Sequence, residues 1–257
     1  MIVSQLILKT GKLAGKMNKV LVIGDTCTDI FIYGACTRLC PDAPVPIFLP
    51  RVTTRNPGMA ANVAANLKEL GTDCDLLCSS EEIEKTRYVD RQTNHMFLRV
   101  DTGEESIERV KGLTVALLQK YEVIVISDYN KGFLEEEDVS FICENHDRVF
   151  LDTKKILGAW ASKAAFIKIN EHEFKRTQHT LDNIDNMIIT LGENGCRYGQ
   201  EEFSVEKVEV KDMSGAGDTF LAGLVANHLK TNDIREAISF ANACATKVVQ
   251  RRGVNVI

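Results

Sequence analysis

The sequence lacks the features that mark several other classes of protein. It has no surplus of positive charge, because 31 Lys and Arg face 36 Asp and Glu for a net charge of −5, whereas nucleic-acid-binding proteins usually carry a basic surface. It has no apolar run of the roughly 18 residues that a membrane-spanning helix needs, and no internal repeat or low-complexity linker. We therefore expect neither a nucleic acid nor a membrane as its partner.

The first 16 residues differ in character from the rest of the chain. They combine an apolar start with several lysines but lack the small-residue cleavage site of a signal peptide. Met17 directly precedes the first clear strand, residues 19–24. We interpret residues 1–16 as an extension or an upstream start outside the core fold. We expect residues 17–257 to form one compact domain, since α/β folds of this size are commonly single domains.

Eight cysteines raise the question of disulfides or a metal site. Cys36 and Cys40 are spaced four apart, as are Cys74 and Cys78, whereas most zinc-binding pairs have a two-residue gap. No nearby histidine completes a compact ligand set. The favoured interpretation is free thiols, several of them buried as small hydrophobic side chains. Because free thiols are typical of a reducing compartment, we expect a cytoplasmic protein.

Short apolar strands alternate with helical segments along the chain. Strands are predicted at residues 20–23, 122–126, 148–151, 165–169 and 187–190, and helices at 60–70, 135–145 and 219–229. This alternation predicts an α/β fold with a mostly parallel sheet. Ligands of such sheets bind outside the carboxyl ends of the strands. The polar residues expected at that edge are Asp25, Asp128, Asp152, Asn170 and Thr190.

The run DMSGAGDTF, which starts at Asp212, is the most informative stretch. It lies between a strand-like segment, residues 203–210, and the predicted helix at 219–229. The small residues 215–217 allow a tight turn and direct N–H groups to the start of the helix, where the dipole favours an anion. Asp218 would repel a phosphate there, but it is well placed to take a proton from a hydroxyl that attacks a phosphoryl group. The alternative is an ordinary turn in which Asp218 caps the helix.

Three motifs, in the same order and spread over most of the chain, resemble those of the PfkB, or ribokinase-like, carbohydrate kinases. They are NPGMAANVA from Asn56, Asn-x-x-Glu from Asn170, and DMSGAGD from Asp212. The resemblance implies a three-layer α/β/α fold with a mostly parallel central sheet and a small β lid. It places the lid in residues 30–51 and 88–100. The alternative is that these two segments form ordinary surface hairpins. It also leaves open a homodimer formed through the lid.

Further segments resemble one subgroup, the kinase domain of the bacterial bifunctional heptose enzymes. They are VLVIGD at 20–25 with Asp29, YG at 33–34, PDAPVP at 41–46, KTR at 85–87 and SDYNKG at 127–132. The resemblance implies an ATP-dependent kinase that phosphorylates O1 of a heptose 7-phosphate. Two departures are Met59, where a glycine is usual, and a shorter segment 77–86. The alternatives are another acceptor, such as a hexose phosphate or a nucleoside, and a catalytically inactive homologue that binds sugar or nucleotide.

The resemblance also implies roles around the nucleotide. Asp218 would be the catalytic base, and the amides of Gly215, Ala216 and Gly217 would stabilise the transferring phosphoryl group. The ATP-binding residues would be Asn170, Glu173, Thr190, Gly192, Gly195 and Asn242. Asn170 and Glu173 would hold Mg²⁺ through water, although their spacing also fits a helix capping box. Asn242 could equally be an ordinary polar helix residue.

On the acceptor side, the resemblance implies that sugar hydroxyls bind Asp25, Asp29, the backbone at Gly58, and Asn62. A carboxylate can accept two hydrogen bonds from neighbouring hydroxyls, although Asp29 could instead be a turn residue. The phosphate of a phosphorylated sugar needs cations. The candidates are Arg87, Arg91, Lys131 and, more weakly, Lys154, each of which could instead be a solvated surface charge.

Overall fold

The computed structural model describes residues 7–9, 19–177, 180 and 185–257. Its strands are β1 (Ile7–Lys9), β2 (Val20–Gly24), β3 (Thr26–Leu39), β4 (Pro46–Met59), β5 (Cys74–Cys78), β6 (Glu84–Asp90), β7 (Met96–Thr102), β8 (Val123–Asp128), β9 (Val149–Thr153), β10 (Phe166–Asn170), β11 (Met187–Thr190), β12 (Cys196–Tyr198) and β13 (Glu201–Phe203). Its helices are α1 (Ala60–Glu69), α2 (Val115–Leu118), α3 (Glu136–Asn145), α4 (Glu171–Thr177), α5 (Ala216–Thr231) and α6 (Ile234–Val248).

The larger sheet has the strand order β1-β5-β2-β8-β9-β10-β11-β12-β13. From β5 to β11 all neighbours are parallel, and the antiparallel pairs lie at the two edges. Because successive side chains of a strand point to opposite faces, Val20 and Val22 join a core with α1, α5 and α6. Leu21 and Ile23 join a second core with α2 and α3. The predicted three-layer α/β/α arrangement is confirmed.

The smaller sheet is the predicted lid. Its order is β4-β3-β6-β7, with β3 parallel to β6 and an antiparallel hairpin on each side. The lid is wider than predicted, spanning residues 26–59 and 84–102. Pro46, Pro50 and Pro57 all lie in β4, an edge strand of this sheet, where a missing N–H donor is tolerated.

The prediction of a strand at residues 203–210 is wrong beyond Phe203. Strand β13 pairs antiparallel with β12, and the last pair joins Phe203 to Cys196, the first residue of β12. Residues 204–210 have no regular secondary structure, since β12 offers them no further partner. Their alternation of valines with charged residues resembles a strand, but the valines line a cavity instead.

Three further predictions concern the ends and the thiols of the chain. Within the predicted extension, residues 1–16, only residues 7–9 are described, and they form β1, which pairs with β5. The other residues of the extension lie outside the described ranges. The prediction that the extension is not part of the core fold therefore stays a prediction. All eight cysteines are free thiols, six of them buried. None of the helices within the described ranges has the length and apolar character to cross a membrane.

Candidate active site

Asp218 lies in the first turn of α5, after the tight turn that the small residues predicted. Gly215 precedes the helix with a φ of 79°, a left-handed conformation that favours glycine. A Cβ at this position would lie 2.7 Å from the amide nitrogen of Asn62. Gly215, not Asp218, is the capping residue of the helix, so the interpretation of Asp218 as an ordinary cap is wrong. The turn instead directs Asp218 into the protein, where it is only 3% exposed.

Two neutral donors from distant parts of the chain hold the carboxylate of Asp218. Asn62, in α1, donates its side-chain amide to Oδ2 at 3.0 Å. Tyr129, just after β8, donates its hydroxyl to Oδ1 at 2.7 Å. Asn62 is fully buried. The structure shows its contact with the predicted base, Asp218, and its predicted contact with a sugar stays a prediction.

The surroundings of Asp218 raise its pKa from 3.8 to about 6. Burial is the largest cause, because the charged form loses its hydration. The hydrogen bonds from Asn62 and Tyr129 lower the pKa, the charge of Asp152 raises it, and that of Lys168 lowers it. A carboxylate with this pKa is ionised at neutral pH and still basic enough to accept a proton from a reacting hydroxyl.

Tyr129 is a residue that the sequence analysis did not single out, although it lies in the SDYNKG run. Burial, followed by the charge of Asp218, raises the pKa of its phenol well above 10, so the hydroxyl is a proton donor at neutral pH. The Nζ atoms of Lys154 and Lys85 lie 5.2 and 6.0 Å from the centre of its ring. Its backbone N–H donates to Oδ2 of Asp25 at 2.8 Å. Tyr129 thus joins the predicted base to the predicted sugar-binding carboxylate.

Asp25 follows β2 at the predicted edge of the sheet. It is buried, and burial together with the charge of Asp128 raises its pKa above the usual value. Its Oδ2 also accepts a hydrogen bond from the backbone of Lys131 at 3.2 Å. Within the described part of the chain, its buried Oδ1 has no partner. A buried acceptor without a hydrogen-bond partner is suited to a hydroxyl group of a ligand, and Tyr129 links this carboxylate to Asp218.

Asp29, Gly58 and Arg87 form one cluster on the inner face of the lid. Arg87 forms a salt bridge with Asp29, and its guanidinium lies 4.9 Å from the centre of the Phe31 ring. A Cβ at Gly58 would lie 2.2 Å from Oδ2 of Asp29, so only glycine allows the two strands to approach there. The predicted sugar ligand and one predicted phosphate ligand therefore already bind each other.

The other predicted phosphate-binding cations have different surroundings. Lys131 contacts Glu104 at 2.5 Å, and Lys154 contacts Glu173 at 2.5 Å. Arg91 is exposed just after β6 and lines a separate cavity together with Arg252. Three of the four cations that the sequence analysis proposed are thus paired with carboxylates.

A cavity of about 460 Å³ lies beside the start of α5. Four of the predicted ATP-binding residues line it together with the glycine turn: Thr190, Gly192, Gly195, Asn242, Ala216 and Gly217. Val205, Val208 and Val210 supply apolar wall, which explains the valines in the segment that did not form a strand. Asn242 donates to the carbonyl oxygen of Phe203 at 3.0 Å, so it also holds the end of β13.

Asn170 and Glu173 form a capping box at the start of α4. The Glu173 carboxylate accepts from the Asn170 backbone at 2.9 Å, and the Asn170 side chain accepts from the Glu173 backbone at 2.8 Å. The capping interpretation is therefore correct. The other Glu173 oxygen faces Lys154, which lies 3.9 Å from Oδ1 of Asp152, and Asp152 is bound by Lys168 at 2.7 Å.

This set of groups fits a magnesium ion that binds mainly through water and phosphate. Oxygen ligands suit Mg²⁺, which usually keeps several waters. Asp152, near the end of β9, and Glu173, in the first turn of the helix after β10, supply carboxylates. Oδ1 of Asp152 is buried and has no hydrogen-bond partner among the described residues. No group of three potential metal ligands occurs within those residues, so the protein would supply only part of the coordination. The predicted role of Asn170 and Glu173 in holding Mg²⁺ stays a prediction.

Solved structures with the same architecture include two ribokinases. Ribokinase from Thermotoga maritima superposes with a TM-score of 0.70 at 16% identity, covering 91% of this chain and 94% of that one. Arabidopsis thaliana ribokinase complexed with ribose and ATP gives a TM-score of 0.68 at 13% identity, covering 93% and 94%. The fold is therefore ribokinase-like, as predicted.

The chain belongs to the pfkB family of carbohydrate kinases, whose pattern matches residues 85–256. It is accordingly a phosphotransferase with an alcohol group as acceptor. The bifunctional protein HldE of Helicobacter pylori strain J99 is 29% identical over 92% of this chain. That of a Nitratiruptor species is 30% identical over 91%. The chain spans 64% and 62% of the lengths of these two relatives.

Proposed function

We propose that the protein is an ATP-dependent kinase that transfers the γ-phosphoryl group to O1 of a heptose 7-phosphate or a similar sugar phosphate. The observation that carries this proposal is the position of Asp218. It is a buried carboxylate with a pKa of about 6, in the same helical turn as Ala216 and Gly217, which line the large cavity. The similarity to bifunctional HldE proteins over 92% of the chain supports a heptose acceptor.

The proposed reaction uses Asp218 as the general base. The acceptor hydroxyl gives its proton to Asp218 while its oxygen attacks the γ-phosphorus, and the bond between that phosphorus and the bridging oxygen of ADP breaks. Asn62 and Tyr129 keep the carboxylate aimed at the hydroxyl. The N–H groups of Gly215 and Gly217 lie at a helix start, where negative charge on the phosphoryl group is stabilised. That of Ala216 donates to the carbonyl oxygen of Met213 at 3.2 Å, so it would have to leave this acceptor to bind the phosphoryl group.

Mg²⁺, when bound beside Glu173 and Asp152, supplies positive charge that offsets the charge of the phosphates. Lys154 lies between these two carboxylates in the structure. We propose that Lys154 turns to the phosphates when they arrive, because its ammonium group and the metal ion compete for the same oxygens. Its side chain is 31% exposed, which leaves it room to move.

The test is ADP release with a panel of sugars and sugar phosphates. Asp218→Asn is expected to lower turnover by about 10² to 10⁴ while nucleotide binding survives. Asp42→Asn, which removes an exposed carboxylate in the turn of the lid, is the matched control and should keep full turnover. A panel without any phosphorylated product would favour the inactive homologue, and preference for a hexose phosphate or nucleoside would move the assignment to that acceptor.

We propose that two copies associate through the outer face of the lid in the cytoplasm. On β7, Leu98 and Val100 alternate with charged residues and are 55% and 39% exposed. A second copy would cover this apolar strand. Sedimentation of the protein and of Leu98→Glu checks it: the variant should sediment as a monomer and the unaltered chain as a dimer. The free thiols of the chain support the cytoplasmic location.

A further inference from the structure

A second cavity, of about 370 Å³, lies between the inner face of the lid and the carboxyl-terminal segment. Its polar lining consists of Tyr33, Thr54, Asn56, Arg91, Arg252 and Asn255. Two arginines thus line this space together with neutral polar residues. None of the lining side chains given by the described residues is acidic.

These two arginines differ from the other cations near the site. Arg87 is bound to Asp29, and Lys131 is bound to Glu104. Within the described ranges, neither Arg91 nor Arg252 forms a salt bridge with a carboxylate. Arg252 instead donates to the carbonyl oxygens of Arg91 at 2.7 Å and of Gln92 at 3.3 Å.

One acidic residue, Asp212, acts on the wall of this cavity. Burial and the charge of Asp212 raise the pKa of Tyr33, and Arg252 lowers it. Each oxygen of Asp212 already accepts a backbone N–H bond, from Ser214 at 2.9 Å and from Gly253 at 3.0 Å. Asp212 therefore holds the turn after α6 in place, and within the described ranges it forms no salt bridge with either arginine.

The cavity adjoins the base through a short chain of contacts. Val254, in its wall, has a methyl carbon 3.2 Å from the point where a Cβ on Gly215 would lie. The amide nitrogen of Asn62 lies 2.7 Å from the same point and 3.0 Å from Oδ2 of Asp218. On the lid, Asn56 lines the cavity and pairs in register with Asp29. Asn62 and Val254 are therefore the side chains that link Asp218 to the wall of the cavity.

We infer that this cavity binds the phosphate monoester at the far end of the acceptor, with Arg91 and Arg252 as its ligands. The inference rests on the proposed kinase function. Arginine suits this role because its planar group makes paired, charge-assisted hydrogen bonds to phosphate. Arg252 also fixes the turn that carries Arg91, so one residue binds the anion and positions the other. Arg252 comes from a segment in which the sequence analysis proposed no ligand.

The experiment compares Arg91→Gln and Arg252→Gln with Arg251→Gln. Arg251 is the neighbouring exposed arginine, and it bonds to the carbonyl oxygen of Val256, so its variant removes the same charge from the same segment. Binding of a heptose 7-phosphate in the presence of ADP is measured by calorimetry, and the KM values for this acceptor and for ATP are measured in steady state. Each cavity variant should weaken acceptor binding about ten-fold or more and leave the KM for ATP unchanged. Arg251→Gln should match the unaltered protein.

Further measurements separate a loss of phosphate binding from a loss of folding and from binding at an effector site. Arg252→Lys keeps the charge but loses the planar group, so it should still weaken the acceptor, and unchanged thermal unfolding of each variant would show that the fold is intact. Inorganic phosphate should compete with the acceptor, so it should raise the KM for the acceptor without lowering kcat. This increase in KM should be smaller in Arg91→Gln. Inhibition by phosphate that lowers kcat would identify an effector site and overturn the inference. Equal binding by cavity variants and control, or equal binding of the unphosphorylated sugar, would also overturn it. Preferred kinase activity on unphosphorylated sugars would overturn the sugar-phosphate acceptor as well and leave only the kinase activity itself. Kinase activity on the heptose 7-phosphate with unchanged binding in the cavity variants would overturn the inference alone.

Discussion

Replacing Asp218 by Asn is expected to stabilise the folded protein at neutral pH while it removes the base. The folded state raises the pKa of Asp218 from 3.8 to about 6, so keeping the carboxylate ionised costs about 3 kcal/mol at pH 8. Because the pKa of Asp218 is higher in the folded state than in the unfolded state, the folded protein gains stability by holding the proton. That contribution to the free energy of unfolding is fully present below pH 3.8 and is lost as the pH rises through about 6. Asn carries no charge and avoids the cost at every pH.

The hydrogen bonds of the site also accommodate Asn. Its side-chain oxygen can accept from Asn62, and its amide can donate to the hydroxyl of Tyr129, which is both a donor and an acceptor. We therefore expect Asp218→Asn to gain about 3 kcal/mol in free energy of unfolding at pH 8 and about half of that at pH 5.

Urea unfolding of both proteins at the two pH values measures this gain. Asp42→Asn is the control, since Asp42 is exposed, and it should change the free energy of unfolding little at either pH. The reasoning is refuted if Asp218→Asn is no more stable than the unaltered protein at pH 8, or if its gain is the same at both pH values.

Three other substitutions have defined outcomes. Tyr129→Phe removes a hydrogen bond that lowers the pKa of Asp218. The acid limb of the pH profile of kcat/KM, expected near pH 6, should therefore move about one to two pH units higher. An unchanged acid limb would show that Tyr129 does not lower the pKa of Asp218. Glu173→Gln should raise the Mg²⁺ concentration for half-maximal activity, and Glu171→Gln, at an exposed position of the same helix, should not; equal titrations would count against a metal role. Met59 is buried and has a φ of 58°, a conformation that is strained for any residue except glycine. In urea unfolding, Met59→Gly should therefore have a free energy of unfolding about 1 kcal/mol or more above that of Met59→Ala. A higher free energy of unfolding for Met59→Ala would show that the position is unstrained.

Features that depend on neighbouring residues were predictable from the sequence. The turn at residues 215–217 needs only small side chains, and the capping box of Asn170 and Glu173 needs only a three-residue spacing. The buried strands could be placed because their apolar runs are continuous and end in polar residues. The segment 204–210 shows the limit of such patterns, since its alternation predicted a strand and the neighbouring strand to pair with it is absent from the described sheet.

By itself, the sequence determined the alternation of strands and helices and the central part of the lid, and it singled out Asp218 as the proposed base. Only the tertiary structure decided which groups meet. The order of the strands brings Tyr129 to Asp218 across 89 residues and Asn62 to it across 156, and it joins Arg252 to the turn that carries Arg91 across 161. No local pattern encodes such pairs, because each follows from how two segments that are distant in the sequence pack together. The pKa of the base is decided in the same way, since it depends on burial by side chains from the whole fold.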